Sequence, residues 1–249
     1  MATRDKTRTS MIERVDGIFR AFCSLESSLT LQQIASHVGL PPSSAHRILE
    51  QMIAVGWLQS VGDSYHIGLP LLELGGLAVR ANRIHVAAAP VLQDLHRTTG
   101  HVVHLAIPDG CDAVYLDKVG GRFSSKVPTR IGGRQPLRTT ALGKAMLAFA
   151  SDEHVDRVAS TAMTPRTPST IIDPDVFRRQ LGQIRNELVA FDTQESVSGL
   201  ACIAAPIRGS GRAVAAISIC GPASAVDLVG HAPLVRDAAA MIWREAFGG

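Results

Sequence analysis

Apolar residues recur at helical spacing in three successive stretches of the N-terminal part. Ile12, Val15, Ile18, Phe19 and Phe22 predict a first helix, and Leu31, Ile34, Ala35 and Val38 a second. Ala45, Ile48, Leu49, Met52 and Ile53 predict a third that begins near Pro42. Gly39 supplies a residue free to take positive φ where the second helix must stop, and proline is tolerated in the first turn of the third. Ser43 and Ser44 are placed to satisfy other free N–H groups of that turn. Alternation then replaces the helical period: the runs 56–61 and 64–67 flank the turn signal Gly62-Asp63 and predict a hairpin. Three helices followed by a hairpin make a winged helix-turn-helix centred on residues 31–55.

The pattern beyond the hairpin is mixed. Residues 70–83 carry Leu71, Leu72, Leu74, Leu77, Ala78 and Val79, a helix too apolar on one side to stand alone in water. It is either a linker that also pairs subunits or a helix packed on its own domain. Another helix over 85–99 ends at Gly100. Strands follow at 102–107 and 113–119 around the Asp109-Gly110 turn, with a third expected over 125–131 before Gly132-Gly133. Helices are predicted over 139–150, capped by Thr139 or Thr140, over 152–160, and over 174–187 with Val176, Phe177, Leu181 and Ile184 facing a sheet. On that last helix Arg178, Arg179 and Arg185 read as a solvated face. Strands over 188–192, 201–207 and 213–220 and a closing helix over 234–247 complete the chain. The fold class is α+β in two domains: a winged helix-turn-helix over 1–69, a linker helix over 70–84, and an antiparallel sheet with flanking helices over 85–249.

On the third helix Ser43, Arg47 and Glu50 lie opposite the apolar face, flanked by Ser44, His46 and Gln51. A short polar face of this kind suits a DNA major groove. Serines near the helix N-terminus meet phosphates, and Arg47 meets a guanine edge or a phosphate. The competing reading is an ordinary helical hairpin whose polar face meets water, and the wing favours DNA. Ser43, Ser44, His46 and Arg47 are the candidate contacts.

The 249 residues suffice for two cored domains, and the net charge is +3. That charge is not concentrated in the DNA-binding part. Up to residue 80, Arg4, Lys6, Arg8, Arg14, Arg20, Arg47 and Arg80 are balanced by Asp5, Glu13, Asp16, Glu26, Glu50, Asp63 and Glu73. One domain would neutralise few phosphates, so two copies on two half-sites are expected, with Arg4, Lys6 and Arg8 as an arm. No apolar run reaches the roughly 18 residues that span a bilayer, and the first ten residues lack the apolar core of a signal peptide. A cytoplasmic location without membrane contact is expected. Cys23, Cys111, Cys202 and Cys220 are scattered, which suggests reduced, mostly buried thiols rather than a metal knuckle or disulfide framework. His101 and His104 are three apart on a strand and face opposite sides, so no metal site and no cofactor is expected.

Gly143-Lys144 is not a phosphate loop, because Arg138 and Ala145 occupy the positions that need a glycine and a hydroxyl residue. A helix starting beside Thr140 still exposes N–H groups near Ala141 and Leu142, enough to hold a small anion such as a carboxylate. A capped helix with nothing bound is the alternative.

Several separated segments resemble the IclR-type transcriptional regulators. Gly39-Leu40-Pro41, Ser43-Ser44 and His46-Arg47-Ile48-Leu49 resemble the recognition-helix motif of that family. Gly56-Trp57-Leu58 with Tyr65-His66-Ile67-Gly68 resembles its wing. Pro136-Leu137, the stretch from Thr140 to Ala145 and Leu147-Ala148 resemble its effector-pocket segment. Glu195, the stretch from Gly199 to Ile207, the stretch from Ala216 to Ile219 and Gly221-Pro222 resemble its C-terminal signature. The resemblance implies a GAF-like effector-binding domain and a repressor or activator of a catabolic operon. Its implied partners are a double-stranded DNA operator, a small organic acid, and further copies as a homodimer or dimer of dimers. It places Ala141, Leu142, Asp192, Cys202, Ser218 and Cys220 at the effector, with no catalytic residue.

Two departures stand out against that pattern. Leu142 is bulky, which points to a smaller or more apolar effector, and Cys220 replaces a serine donor. Asp192 beside an anion site would repel the ligand unless protonated or bonded to a ligand hydroxyl, so it is expected to read a hydroxyl or hydrated carbonyl. A second reading, from another class, is a small-molecule enzyme with Cys202 as nucleophile and Asp192 or a distant histidine as its partner.

Overall fold

The structure, a computed structural model, describes residues 10–24, 28–161 and 164–248. The proposed arm of Arg4, Lys6 and Arg8 lies outside the described residues. The chain divides into two compact units, Met1–Val79 and Arg80–Gly249.

In the first unit, helix α1 (Met11–Ser24), strand β1 (Ser28–Thr30), α2 (Leu31–Val38) and α3 (Pro42–Ala54) precede the wing strands β2 (Leu58–Val61) and β3 (Ser64–Ile67). Thr30 and Gln33 form a reciprocal cap on α2: Thr30 Oγ1 accepts from Gln33 N–H and Gln33 Oε1 accepts from Thr30 N–H. Gly39 ends α2 at φ 65°, a left-handed turn that a side chain would oppose. The turn brings Ile48, Leu49 and Met52 of α3 onto Ile18, Phe22, Leu29 and Ile34. Each such fully buried Leu or Ile contributes about 1.5–3 kcal/mol.

Three expectations need correction here. Ile12 is 82% exposed, since the first turn of α1 overhangs the core that Ile18 and Phe22 fill. The residue preceding α3 is Pro41 and no side chain caps that helix, so Ser43 and Ser44 do not serve the helix end. The wing sheet has three strands in the order β1-β3-β2, and the short β1 carried no alternation long enough to announce itself. Helix α4 (Leu69–Arg80) closes the unit without a buried residue, and Leu69, Leu72, Leu74 and Leu77 are all exposed.

The second unit is built on a six-stranded antiparallel sheet. After α5 (Arg83–Thr99), strands β4 (Val102–Asp109), β5 (Asp112–Val119) and β6 (Arg134–Pro136) lead to α6 (Ala141–Leu147), α7 (Asp152–Ser160) and α8 (Pro174–Glu187). Strands β7 (Ala190–Thr193), β8 (Leu200–Ile207) and β9 (Ala215–Pro222) then precede α9 (Ala232–Phe247), and the strand order is β6-β5-β4-β9-β8-β7. The two-residue strand period sorts the side chains. Val103, Leu105, Ile203, Ile207, Ile217 and Ile219 pack with α5 and α9, while Ala106, Ala204 and Ala216 face α6 and α8.

Several boundaries differ from expectation by a residue or two, and three differences have a physical cause. Residues 122–126 form a 3-10 turn and the short edge strand comes later, at Arg134–Pro136, because the segment is gathered inward by a lysine described below. Helix α6 stops at Leu147. Leu188 caps α8 in the left-handed conformation, so β7 begins only at Ala190.

Candidate functional site

On the α6 side of the sheet, Cys202, Ser218 and Cys220 are short side chains where large ones would be needed to fill the layer. The result is a cavity against the start of α6. All six residues expected there line it: Ala141, Leu142, Asp192, Cys202, Ser218 and Cys220. Thr140 is the cap of α6, its Oγ1 accepting from Gly143 N–H at 3.0 Å. The polar groups are few among apolar walls, the make-up of a small-molecule site.

Asp192 is buried, and its Oδ1 accepts from the N–H of Glu195 at 2.7 Å and of Ser196 at 3.3 Å. Burial still pushes its carboxyl above the ordinary carboxylate range, with those hydrogen bonds and Lys144 acting against the rise. The wall loop that carries Ser196 and Val197 is pinned from several sides. Ser196 Oγ donates to Thr139 O at 2.7 Å, Thr170 Oγ1 donates to Glu195 O at 2.8 Å, and Lys144 Nζ bonds Glu195 Oε1 at 2.5 Å. Glu195 is also pushed up by burial, against the pull of Lys144.

The opposite wall was missed by sequence reasoning. His104, Tyr115, Val127, Pro128, Thr129 and Gln135 line it. His104 Nε2 lies 2.8 Å from Thr129 Oγ1, and burial together with the nearby Lys118 lowers its pKa to about 3, so the imidazole is neutral. Burial likewise raises the Tyr115 phenol, keeping it a neutral hydrogen-bonding group. Lys118 Nζ donates to the carbonyls of Ser124, Val127 and Thr129 at 3.0, 2.9 and 2.7 Å, folding residues 122–129 over the cavity. Strand alternation told which face His104 and Tyr115 occupy; it did not tell which face held space.

The cysteines are less buried than expected: Cys220 is buried, Cys111 and Cys202 are half-buried, and Cys23 is exposed. The hydrogen bond with Cys220 and burial push the Cys202 thiol well above its ordinary value, opposite to what a nucleophile requires. His101 does not share the surroundings of His104: its ring stands edge-on to His231 at 5.4 Å. Among the described residues no group of three metal-binding side chains is assembled.

In the first unit, Ser43, His46 and Arg47 are exposed on α3 and Ser44 is half-buried. His46 Nδ1 lies 3.8 Å from Glu50 Oε2 one turn on, which leaves Arg47 as the projecting cation of that face.

An exposed polar recognition helix beside a wing, on one chain with a sheet domain that encloses a small-molecule cavity, defines a DNA-binding regulator of transcription. The particular family follows from comparison with known proteins. The chain belongs to the IclR family, matching the IclR helix-turn-helix domain over residues 12–62 and the bacterial transcriptional regulator IclR C-terminal domain over residues 77–244. It is 30% identical to the HTH-type transcriptional regulator XynR of Escherichia coli K12 over 220 residues, 87% of each chain. It is 32% identical to the transcriptional repressor IclR of the same strain over 205 residues, 80% of this chain and 75% of that one. Among solved structures, an IclR homologue of Microbacterium hydrocarbonoxydans complexed with 4-hydroxybenzoate superposes with a TM-score of 0.87 at 25% identity, covering 96% of this chain and all of that one. The Thermotoga maritima IclR gives 0.74 at 29%, covering 95% and 96%. The protein is a regulator and not an enzyme, which removes the nucleophile reading of Cys202.

Proposed function

We propose that the chain binds a palindromic operator as a homodimer or dimer of dimers and responds to a small organic acid in the sheet-domain cavity. The acid's carboxylate is held by the backbone amides of Ala141 and Leu142 at the start of α6, where the helix dipole favours negative charge. Asp192 reads a hydroxyl on the same ligand, and Cys202, Ser218 and Cys220 shape the floor. The observation that carries this reading is the convergence of those six residues, drawn from three strands and a helix, on one cavity. The Microbacterium homologue, complexed with a hydroxylated aromatic acid, supports the ligand class.

For DNA, Ser43, Ser44 and His46 contact phosphates and Arg47 contacts a base edge or phosphate, within a winged domain over 1–69. The segment 70–84 acts as linker to an effector domain over 85–249, and its exposed leucines are the surface that a second copy covers. The regulator acts in the cytoplasm; among the described residues no helix is long and apolar enough to cross a membrane.

The test is a gel shift on the DNA upstream of the protein's own gene, with excess non-specific competitor and a salt series. Specific retention is expected, together with its loss in Arg47→Ala, a change worth about 1–3 kcal/mol if the arginine reads a base. Retention that survives Arg47→Ala would overturn the recognition-helix assignment. A calorimetric panel of aromatic and aliphatic hydroxy acids, beginning with 4-hydroxybenzoate, then tests the cavity. Unchanged affinity in Asp192→Ala would remove Asp192 from the ligand site.

A further inference from the structure

Cys202 on β8 and Cys220 on β9 are directly opposed partners across an antiparallel ladder. The type of opposition follows from a neighbouring bond. Ala223 N–H donates to Gly199 O at 2.9 Å, in the same register, and the ladder continues from Leu200 without a shift. Hydrogen-bonded and non-bonded pairs alternate along such a ladder, so Cys202–Cys220, three steps on, is a non-bonded pair. In pairs of this type the Cα atoms lie about 4.5 Å apart and the side chains come closest, within the span a disulfide bridges. Both residues also line the cavity, and Cys202 keeps accessible surface while Cys220 is buried. A small solute entering the cavity therefore meets one thiol with a second immediately behind it.

We infer that Cys202 and Cys220 are a disulfide-forming modification site within the effector cavity, with a hydroperoxide as oxidant. The Cys202 sulfur, as thiolate, attacks one peroxide oxygen. The O–O bond breaks, the distal oxygen leaves as hydroxide or alkoxide and takes up a proton, and Cys202 becomes a sulfenic acid. The Cys220 sulfur then attacks the Cys202 sulfur, the S–O bond breaks, and water leaves with the thiol proton. Two thiols are oxidised by two electrons and the peroxide is reduced to two hydroxyl products. Burial and the neighbouring thiol raise the Cys202 pKa, so thiolate is scarce at neutral pH and the oxidation is slow there, gaining speed as pH rises. Closure joins the two side chains and removes both thiol donors from the cavity floor. Its effect on the acid rests on the effector reading above; the thiol chemistry itself does not.

The experiment treats the full chain with hydrogen peroxide and maps cysteine-containing peptides before and after reduction with dithiothreitol. The expected result is a Cys202–Cys220 cross-linked peptide, an intact mass lower by two hydrogens, and reversal by the reductant. Cys202→Ser and Cys220→Ser should each abolish it. Cross-links confined to Cys23 or Cys111, or over-oxidation of Cys202 with Cys220 left as a thiol, would overturn the proposal. Calorimetry with the hydroxy-acid panel on reduced and oxidised samples is the second arm. Affinity should fall about tenfold on oxidation, the scale of losing one or two hydrogen-bonding contacts. A mapped disulfide with unchanged affinity would overturn the coupling to the effector alone. A reduced sample that binds none of the acids would count against the effector reading and leave the mapped disulfide standing.

Discussion

Lys144 Nζ lies 2.5 Å from Glu195 Oε1, and both side chains are buried. The ammonium also reaches Gln180 Oε1 at 3.3 Å, and Glu195 stands next to Ser196 in the loop that walls the cavity. Taking two charges out of water costs more than such a pair returns unless the geometry is good, and removing one partner strands the other. Lys144→Met and Glu195→Gln should each destabilise the protein, by about 3–5 kcal/mol for a charge left unpaired. The double replacement Lys144→Met with Glu195→Leu should recover most of that loss. Urea denaturation of the three variants checks this, and a double variant no more stable than the less stable single one would show that the pair does not act as a unit.

The raised pKa of Asp192 has a definite pH signature. Because burial lifts it above the ordinary 3.8, the folded protein holds this proton more tightly than the unfolded chain does. The associated stability is therefore full below pH 3.8 and is lost as pH rises through the lifted value. Glu195 shifts in the same direction, while Lys144 opposes both. Asp192→Asn keeps an oxygen to accept from the Glu195 and Ser196 N–H groups and should flatten this part of the stability curve. The same logic applies to an anionic ligand, whose affinity should decline with rising pH in the wild type and change little in the variant. Calorimetry across an acid-to-neutral series reads both slopes, and parallel slopes would assign the dependence to another group.

Lys118 makes a separate prediction for the opposite wall. Its ammonium donates to three carbonyls of the segment that covers the cavity, and a charged donor of this kind contributes on the order of 1–3 kcal/mol. Lys118→Met leaves those carbonyls competing for water and should loosen residues 122–129. Trypsin should then cut after Arg122 or Lys126 several times faster than in the wild type, before any global unfolding. Effector affinity should fall in step, because Val127, Pro128 and Thr129 belong to the wall. Equal cleavage rates would mean that the segment is held by other contacts.

What was legible in the sequence follows from the reach of local periodicity. The faces of α2 and α3, the wing turn at Gly62-Asp63 and the caps at Gly39 and Gly100 are set within a few residues and could be read directly. The six cavity residues were reached through motif resemblance, with only the anion end at Ala141 and Leu142 argued from chemistry. The remainder depends on distant partners. Lys144 and Glu195 are 51 positions apart. The segment expected as a strand over 125–131 became a 3-10 turn and a loop because Lys118, on another strand, gathers its carbonyls. Strand β1 is three residues long, too short for alternation to separate it from a loop.

Two helical glycines give opposite expectations for one substitution. Alanine is favoured over glycine in a helix interior by about 1 kcal/mol. At Gly182 in α8 nothing lies within 4 Å of an added Cβ, so Gly182→Ala should stabilise by about that amount. At Gly143 in α6 the Cβ would stand 2.1 Å from Leu137 O and 2.3 Å from its Cα, and both are backbone atoms that cannot rotate away. The clash should outweigh the helical gain, giving a net loss on the order of 1–3 kcal/mol as α6 is displaced from residues 137–140. That displacement moves Ala141 and Leu142, so Gly143→Ala should also weaken the acid, whereas Gly182→Ala leaves its affinity unchanged. Paired denaturation and calorimetry on the two variants separate the effects. A Gly143→Ala protein with wild-type affinity would show that the start of α6 does not hold the ligand.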